Sequence, residues 1–329
     1  MTPRLMFLAF LLMVASGEQA YSQSCTITGV SNGNYGTVDI LSGAAVDSTA
    51  SFTVNCTSCG AGCKINTCVQ INGGTPAPGP STRKMLISGS NYSLHEFYSD
   101  SGRTQVFGSW AFGGPNNTVP YGSGGVSYDF TTLPGSQQFT IYGRFMGGQQ
   151  TVTPNNPHYW SGNIIVAYSS YMSASPNCTS YTNAAQNALT WQANVPPACN
   201  ISAASMNFGA ASQLSSAIDT TATLSLRCTF NTNFTVGLDY GLNATGTQRR
   251  MRLGSTSNYV NYNLYTDYAY SKIWKTSTAP DSCSSGAGSC ITAAGNGNVQ
   301  TVTVYGRVPA QTTPPSGVYT DTVVITMTF

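Results

Sequence analysis

Three groups of residues in this 329-residue chain have types and spacings that could do chemistry. Gly29-Val30-Ser31-Asn32-Gly33 matches the G-x-S-x-G pattern of a nucleophile elbow. An elbow presents its serine on a strand-to-helix turn, and no helical period follows Gly33. The chain has two histidines, His95 and His158, and His95 adjoins Glu96. Neighbours on a strand point to opposite faces, so that pair cannot act together on one substrate. The third group is Cys56, Cys59, Cys63 and Cys68. A zinc ribbon needs two C-x2-C pairs, and this run lacks the second. The sequence therefore predicts no catalytic residue, no metal and no cofactor.

The elements that must position these residues are β-strands. Lys and Arg number 13 and Asp and Glu 11, so 7% of the chain is charged, against about 25% in an ordinary soluble domain. With 41% hydrophobic residues, the chain lacks the low-hydrophobicity, high-charge signature of disorder. A net charge of +2 without a basic cluster excludes nucleic acid as the expected partner. Arg4 precedes an apolar run over residues 5–14, followed by small residues at Ala20 and Ser22. That pattern predicts a signal peptide over residues 1–22, too short to span a bilayer. No membrane span is predicted elsewhere. All ten cysteines lie beyond the leader, as expected for a disulfide framework in an exported protein.

The chain is an internal duplication. Residues 25–56 and 199–228 each run from Cys to Cys. Each carries an aromatic-Gly pair (Tyr35-Gly36, Phe208-Gly209) and an Asp followed two residues later by Thr (Asp47, Thr49; Asp219, Thr221). Downstream, Phe97-Tyr98-Ser99-Asp100 answers Leu264-Tyr265-Thr266-Asp267, and Trp110 answers Trp274. Tyr142-Gly143-Arg144 answers Tyr305-Gly306-Arg307, and the segment from Tyr159 answers the one from Val318. Both copies show short alternating windows rich in Thr, Val, Ile and Tyr, broken by Gly, Asn and Pro, which read as antiparallel β. Roughly six or seven strands per copy predict an immunoglobulin-like sandwich. Cys25 with Cys56, and Cys199 with Cys228, are expected to tie the first two strands of each copy. Cys283 and Cys290 bracket a short loop and are expected to close it.

The copies end differently. The first reaches one more strand, in which Leu189, Trp191, Ala193 and Val195 share a face. The second stops at Phe329, inside the strand matching residues 163–171. A sandwich without its edge strand exposes an apolar groove and unpaired backbone. Val323, Ile325, Met327 and Phe329 alternate onto the face that would line it. The expected fold is all-β with two sandwiches, the first complete and the second lacking its last strand. The predicted domains are 23–195 and 196–329, joined at Pro196-Pro197. Completion of the second by another polypeptide, through strand addition, is the expectation.

Both halves resemble the spore coat protein U domain of archaic (Csu-type) chaperone–usher pilus subunits. The resemblance rests on the spaced Cys pair, the Tyr-Gly-Arg strand, and the Gly-x-Tyr-x-Asp-Thr-Val-x-Ile-x-Met-x-Phe strand of residues 317–329. It implies a periplasmic chaperone that fills the groove, an outer-membrane usher, and a donor strand from the adjacent pilus subunit. Shaft subunits of such pili carry a donor extension before the first Cys, whereas the expected mature chain begins Gln23-Ser24-Cys25. The resemblance therefore implies an accept-only tip adhesin, exported through the periplasm to the cell surface, that mediates attachment and biofilm formation.

Strand order places residues 57–68, 113–128 and 173–187 at the end of the first domain away from the linker. Cys178 is expected to pair there with one of Cys59, Cys63 and Cys68. Lys64 is the only Lys or Arg in these loops. Ile65, Val119, Tyr121, Tyr171, Met172 and Tyr181 are the candidates for contact with an abiotic or host surface. A sugar-binding lectin and a structural coat or shaft subunit are the alternatives. Trp110, Tyr142, Arg144, Tyr305 and Arg307 recur in both copies and are expected to be structural.

Overall fold

A computed structural model describes residues 23–57, 59–74, 82–108, 125–176, 181, 183–276 and 289–329. The first repeat contains β1 (Cys25–Thr28), β2 (Gly33–Thr37), β3 (Val46–Cys56), β4 (Lys64–Ile71), β5 (Arg83–Ser88), β6 (Asn91–Tyr98), β7 (Val126–Phe130), β8 (Gly135–Phe145), β9 (Asn155–Tyr171) and β10 (Asn183–Val195). The second contains β11 (Cys199–Ala203), β12 (Ile218–Cys228), β13 (Asn233–Leu238), β14 (Arg249–Leu253), β15 (Tyr259–Tyr265), β16 (Ile291–Ala294), β17 (Gln300–Val308), β18 (Tyr319–Thr320) and β19 (Ile325–Thr328). Among the described residues there is no helix.

Period-2 alternation builds these strands. In β3, Ala50, Phe52, Val54 and Cys56 are buried while the residues between them are less so. The strand pairs with β8 over its whole length, from Val46↔Phe145 to Cys56↔Gly135. In the second repeat β12 turns Leu224, Leu226 and Cys228 inward in the same way and pairs with β17. Each repeat has its own core: one around Phe52, Phe97, Trp160 and Trp191, the other around Leu226, Val236 and Trp274.

The chain thus forms the two β-domains expected. The first bonds into one curled ten-stranded sheet, β1-β3-β8-β6-β5-β9-β10-β2, with β4 joined to β7 and β9. This differs from the two separate sheets of the predicted sandwich because β9, at 17 residues, bonds β5 near its start and β4 along its second half. The second repeat divides into a six-stranded sheet, β11-β12-β17-β15-β14-β18, and a three-stranded one, β16-β13-β19.

Cys25–Cys56 and Cys199–Cys228 are disulfides, each joining directly paired residues of the first two bonded strands. Cys59 bonds to Cys63. Cys68 and Cys290 are also disulfide-bonded; Cys178 and Cys283 lie outside the described residues.

Matched side chains fix the register of the duplication. Arg83 is fully buried and donates to the carbonyls of Asn72 (3.0 Å), Ile71 and Phe107 (3.2 Å). Arg249 does the same with Asp239 (2.8 Å), Leu238 (3.0 Å) and Trp274 (2.7 Å). Burial pushes the pKa of both guanidinium groups down. Two sequence-based matches change as a result. Phe107, not Trp110, is the counterpart of Trp274; Trp110 lies outside the described residues. Ile71 pairs with Ile164 and Leu238 with Ile325, so Ile164 answers Ile325, two residues beyond the match made from sequence. Asp47–Arg144 and Asp219–Arg307 are matched bidentate pairs at the surface, with oxygen–nitrogen distances of 2.6–2.9 Å.

Candidate functional site

In the first repeat β10 lies between β9, antiparallel from Asn183↔Tyr168 to Val195↔Asn155, and β2, parallel with Trp191↔Gly33. Leu189, Trp191, Ala193 and Val195 are all fully buried. Trp191 is the centrepiece. Its ring lies 4.7 Å from Phe97 and 5.4 Å from Tyr35, and a Cβ added at Gly33 or Gly143 would collide with the indole.

Among the described residues the second repeat has no strand in the place of β10. There β18 and β19 are sheet edges, and the segment matching β2, residues 206–210, forms no strand. A cavity of about 410 Å³ opens between them, lined by Met206, Phe208, Leu224, Leu264, Val304 and Ile325 among others. Of the predicted groove residues, Val323 and Ile325 line this cavity. Met327 packs on the core with its sulfur 4.0 Å from that of Cys228, and Phe329 is 60% exposed. The one carboxylate in the wall, Asp321, accepts from the Tyr262 hydroxyl (2.8 Å) and from the backbone (3.2 Å) and side chain (3.0 Å) of Asn243. Burial, with this bond second, pushes the Tyr262 pKa up. Besides Asp321, the lining has the hydroxyls of Ser205, Thr320 and Thr322; the other lining side chains are apolar or aromatic, and backbone edges flank the groove on both sides.

The opposite end of the first repeat from the linker is built by the start of β4, the end of β7 and the end of β9, since Lys64 pairs with Tyr171 and Ile65 with Phe130. The expected loop over residues 57–68 is cut short here. Ile65 and Cys68 belong to β4, bonded on both sides by β7 and β9, and both are fully buried. Ile65 is therefore not a surface contact. Asn66, also buried, donates to Asp129 (2.7 Å) and Ser127 (3.0 Å) and accepts from the Tyr181 hydroxyl (2.7 Å). Ser175 donates to Asp129 as well (2.8 Å). Burial, then hydrogen bonding to Asp129, pushes the Tyr171 pKa up. Tyr171 and Tyr181 thus have anchored hydroxyls, while Met172 is 68% exposed. Val119 and Tyr121 lie outside the described residues.

Residues 10–157 and 185–326 match the Spore Coat Protein U domain. The chain belongs to that family. Protein U of Myxococcus xanthus is 32% identical to it over 157 residues, 43% of this chain and 83% of that protein. Among solved structures, the CsuC–CsuE chaperone–tip adhesion subunit pre-assembly complex, from archaic chaperone-usher Csu pili of Acinetobacter baumannii, shares the fold. Its TM-score is 0.52 at 15% identity, over 93% of this chain and 100% of that one. The CupB6 tip adhesin from Pseudomonas aeruginosa gives a TM-score of 0.41 at 9% identity, over 94% of this chain and 93% of that one.

Within the spore coat protein U repeats, the residues first considered for catalysis have structural partners. Ser31 donates to the Ser51 carbonyl (3.2 Å) and accepts from the Ser51 amide (2.7 Å). Glu96 pairs with buried Arg83. His95 lies 3.3 Å from the Tyr35 hydroxyl, and burial, then Arg83, pushes its pKa well below the usual value. His158 lies 2.9 Å from Ser93 Oγ, its pKa pushed down by burial to about 4. Both imidazoles are neutral core groups at pH 7.

Proposed function

We propose that the chain is a subunit of a surface pilus assembled by the chaperone–usher route, with the second repeat as strand acceptor. The observation that carries this is the groove where the first repeat has β10. A periplasmic pilus chaperone fills the groove before assembly, an outer-membrane usher receives the subunit, and a strand donated by the adjacent subunit replaces that of the chaperone. The likeness to the CsuC–CsuE complex, extending over both repeats, supports a place at the pilus tip. On this reading residues 1–22 are a signal peptide, 23–195 the adhesin domain and 196–329 the pilin domain. The adhesin domain meets an abiotic or host surface through Met172, with Tyr171 and Tyr181 beside it at the far end and Val119 and Tyr121 as further candidates, and supports biofilm formation.

Production in a periplasm with and without a chaperone encoded beside the gene tests this. The expected result is a soluble chaperone complex with a cross-link from a cysteine at Val323 to the chaperone, and aggregation of the chain produced alone. A chain that is equally soluble, monomeric and stable alone overturns the reading.

A further inference from the structure

The first repeat shows what the groove of its twin is shaped to take. Gly33 and Gly143 leave the space that the Trp191 indole fills. In the second repeat Gly143 is matched by Gly306, but Gly33 is matched by Met206, two residues before Phe208-Gly209 as Gly33 is before Tyr35-Gly36. A Cβ added at Gly306 would collide with the Met206 sulfur and stand 3.0 Å from the Phe208 ring. One added at Gly143 meets the Trp191 indole and, at 2.9 Å, the Tyr35 hydroxyl. The thioether of Met206 thus occupies, over Gly306, the place that the indole occupies over Gly143. It is half-buried and packs against the second core. Residues 204–210 form no strand, whereas the matching β2 pairs with β10.

We propose that Met206 is a displaceable plug of the strand-acceptor groove, holding the place that a bulky apolar side chain of the incoming strand, above all an aromatic one, takes on binding. This rests on the acceptor reading above. Methionine suits such a plug because its unbranched, flexible thioether fills an irregular gap and repacks readily. The floor of the groove stays covered until a strand arrives. As the strand enters, Met206 swings out, and residues 206–210 pair with the strand as β2 pairs with β10. The plug also sets side-chain preference at one donor position, because only a large group gains enough contact to replace it.

The test uses the full exported chain isolated as its chaperone complex, and scores displacement of the chaperone by a synthetic peptide copying residues 183–195, alongside the same peptide carrying Trp191→Ala. Met206→Gly restores the glycine present at Gly33. It is expected to bind the tryptophan peptide about tenfold tighter, from removal of a half-buried competitor, while binding of the alanine peptide changes less than about twofold. Met206→Trp fills the place permanently and is expected to weaken the tryptophan peptide by about tenfold. In the unsubstituted protein the NMR signal of the Met206 methyl group is expected to move when the tryptophan peptide is added. Equal tightening of both peptides by Met206→Gly overturns the plug. So does binding to the unsubstituted protein that neither substitution changes, or that leaves the methyl signal in place. Failure of every form to bind either peptide or a chaperone overturns the acceptor reading, and the plug with it.

Discussion

Replacing Trp191 by Ala measures how much the last strand contributes through its central side chain. The indole is fully buried, lies 4.7 Å from Phe97 and 5.4 Å from Tyr35, and fills space that Gly33 and Gly143 leave open. Collapse into the gap is limited, because β10 is bonded along both edges to β9 and β2. Large-to-small substitutions of this kind cost about 3–5 kcal/mol, and limited collapse puts the expectation in the upper half of that range. With a urea slope of about 2 kcal/mol per M, the unfolding midpoint of the first repeat falls by about 2 M. Among the described residues the indole Nε1 is buried without a hydrogen-bond partner. Trp191→Phe therefore removes an unsatisfied donor whose burial costs about 1–3 kcal/mol, which offsets much of the lost area, and its midpoint is expected to move by less than about 0.5 M. Urea titration followed by near-UV circular dichroism reads both variants. A shift under about 0.5 M for Trp191→Ala, or equal losses for Ala and Phe, would refute the account of how this strand is held.

Acid sensitivity follows from His158, whose pKa burial pushes down to about 4. The unfolded chain takes up a proton below about pH 6.5 that the folded one refuses until about pH 4, so this contribution is complete above pH 6.5. It then falls by about 3 kcal/mol towards pH 4. Urea midpoints between pH 7 and 4.5 should show the loss, and His158→Asn should flatten that part of it; an identical slope in the variant contradicts the assignment. Peptide mapping without reduction is expected to find Cys25–Cys56, Cys59–Cys63, Cys199–Cys228, Cys68 with Cys178, and Cys283 with Cys290; a link from Cys178 to Cys59 or Cys63 contradicts it. Asp47→Asn and Asp219→Asn break exposed pairs with Arg144 and Arg307 and are expected to cost less than about 1 kcal/mol each, vanishing near 1 M salt. A larger, salt-insensitive loss in chemical denaturation would show that these pairs do more than decorate the surface.

Much of this architecture was legible in the residues. The duplication, the inward alternation of β3 and β12, the Cys25–Cys56 and Cys199–Cys228 bonds, and the apolar face of β10 all follow from spacing and period. The register of the last strand did not. Thr-Val-Val-Ile-Thr-Met-Thr-Phe keeps its alternation when slipped by two residues, and the correct match is set by Arg83 and Arg249 binding the carbonyls of Ile71 and Leu238. Matching by residue type likewise chose Trp110 over Phe107, three positions away. Ile65 read as a loop residue beside Cys59 and Cys63; its burial comes from pairing with β7 and β9, some 65 and 105 positions along the chain. Met206 was within reach, since the exchange of Gly33 for Met breaks a pattern that the two repeats otherwise share.

The most direct measurement joins a copy of residues 183–195 to Phe329 through a flexible Gly/Ser linker and follows amide hydrogen exchange. The account predicts new protection at Ile325–Thr328 and at residues 206–210, with unchanged exchange in β9 and β2 of the first repeat. It also predicts that the melting temperature of the second repeat rises by roughly 5–10 °C, corresponding to a gain of a few kcal/mol. Unaltered exchange at both edges of the groove, with no rise in melting temperature, would contradict the claim that the second repeat is a domain awaiting a strand.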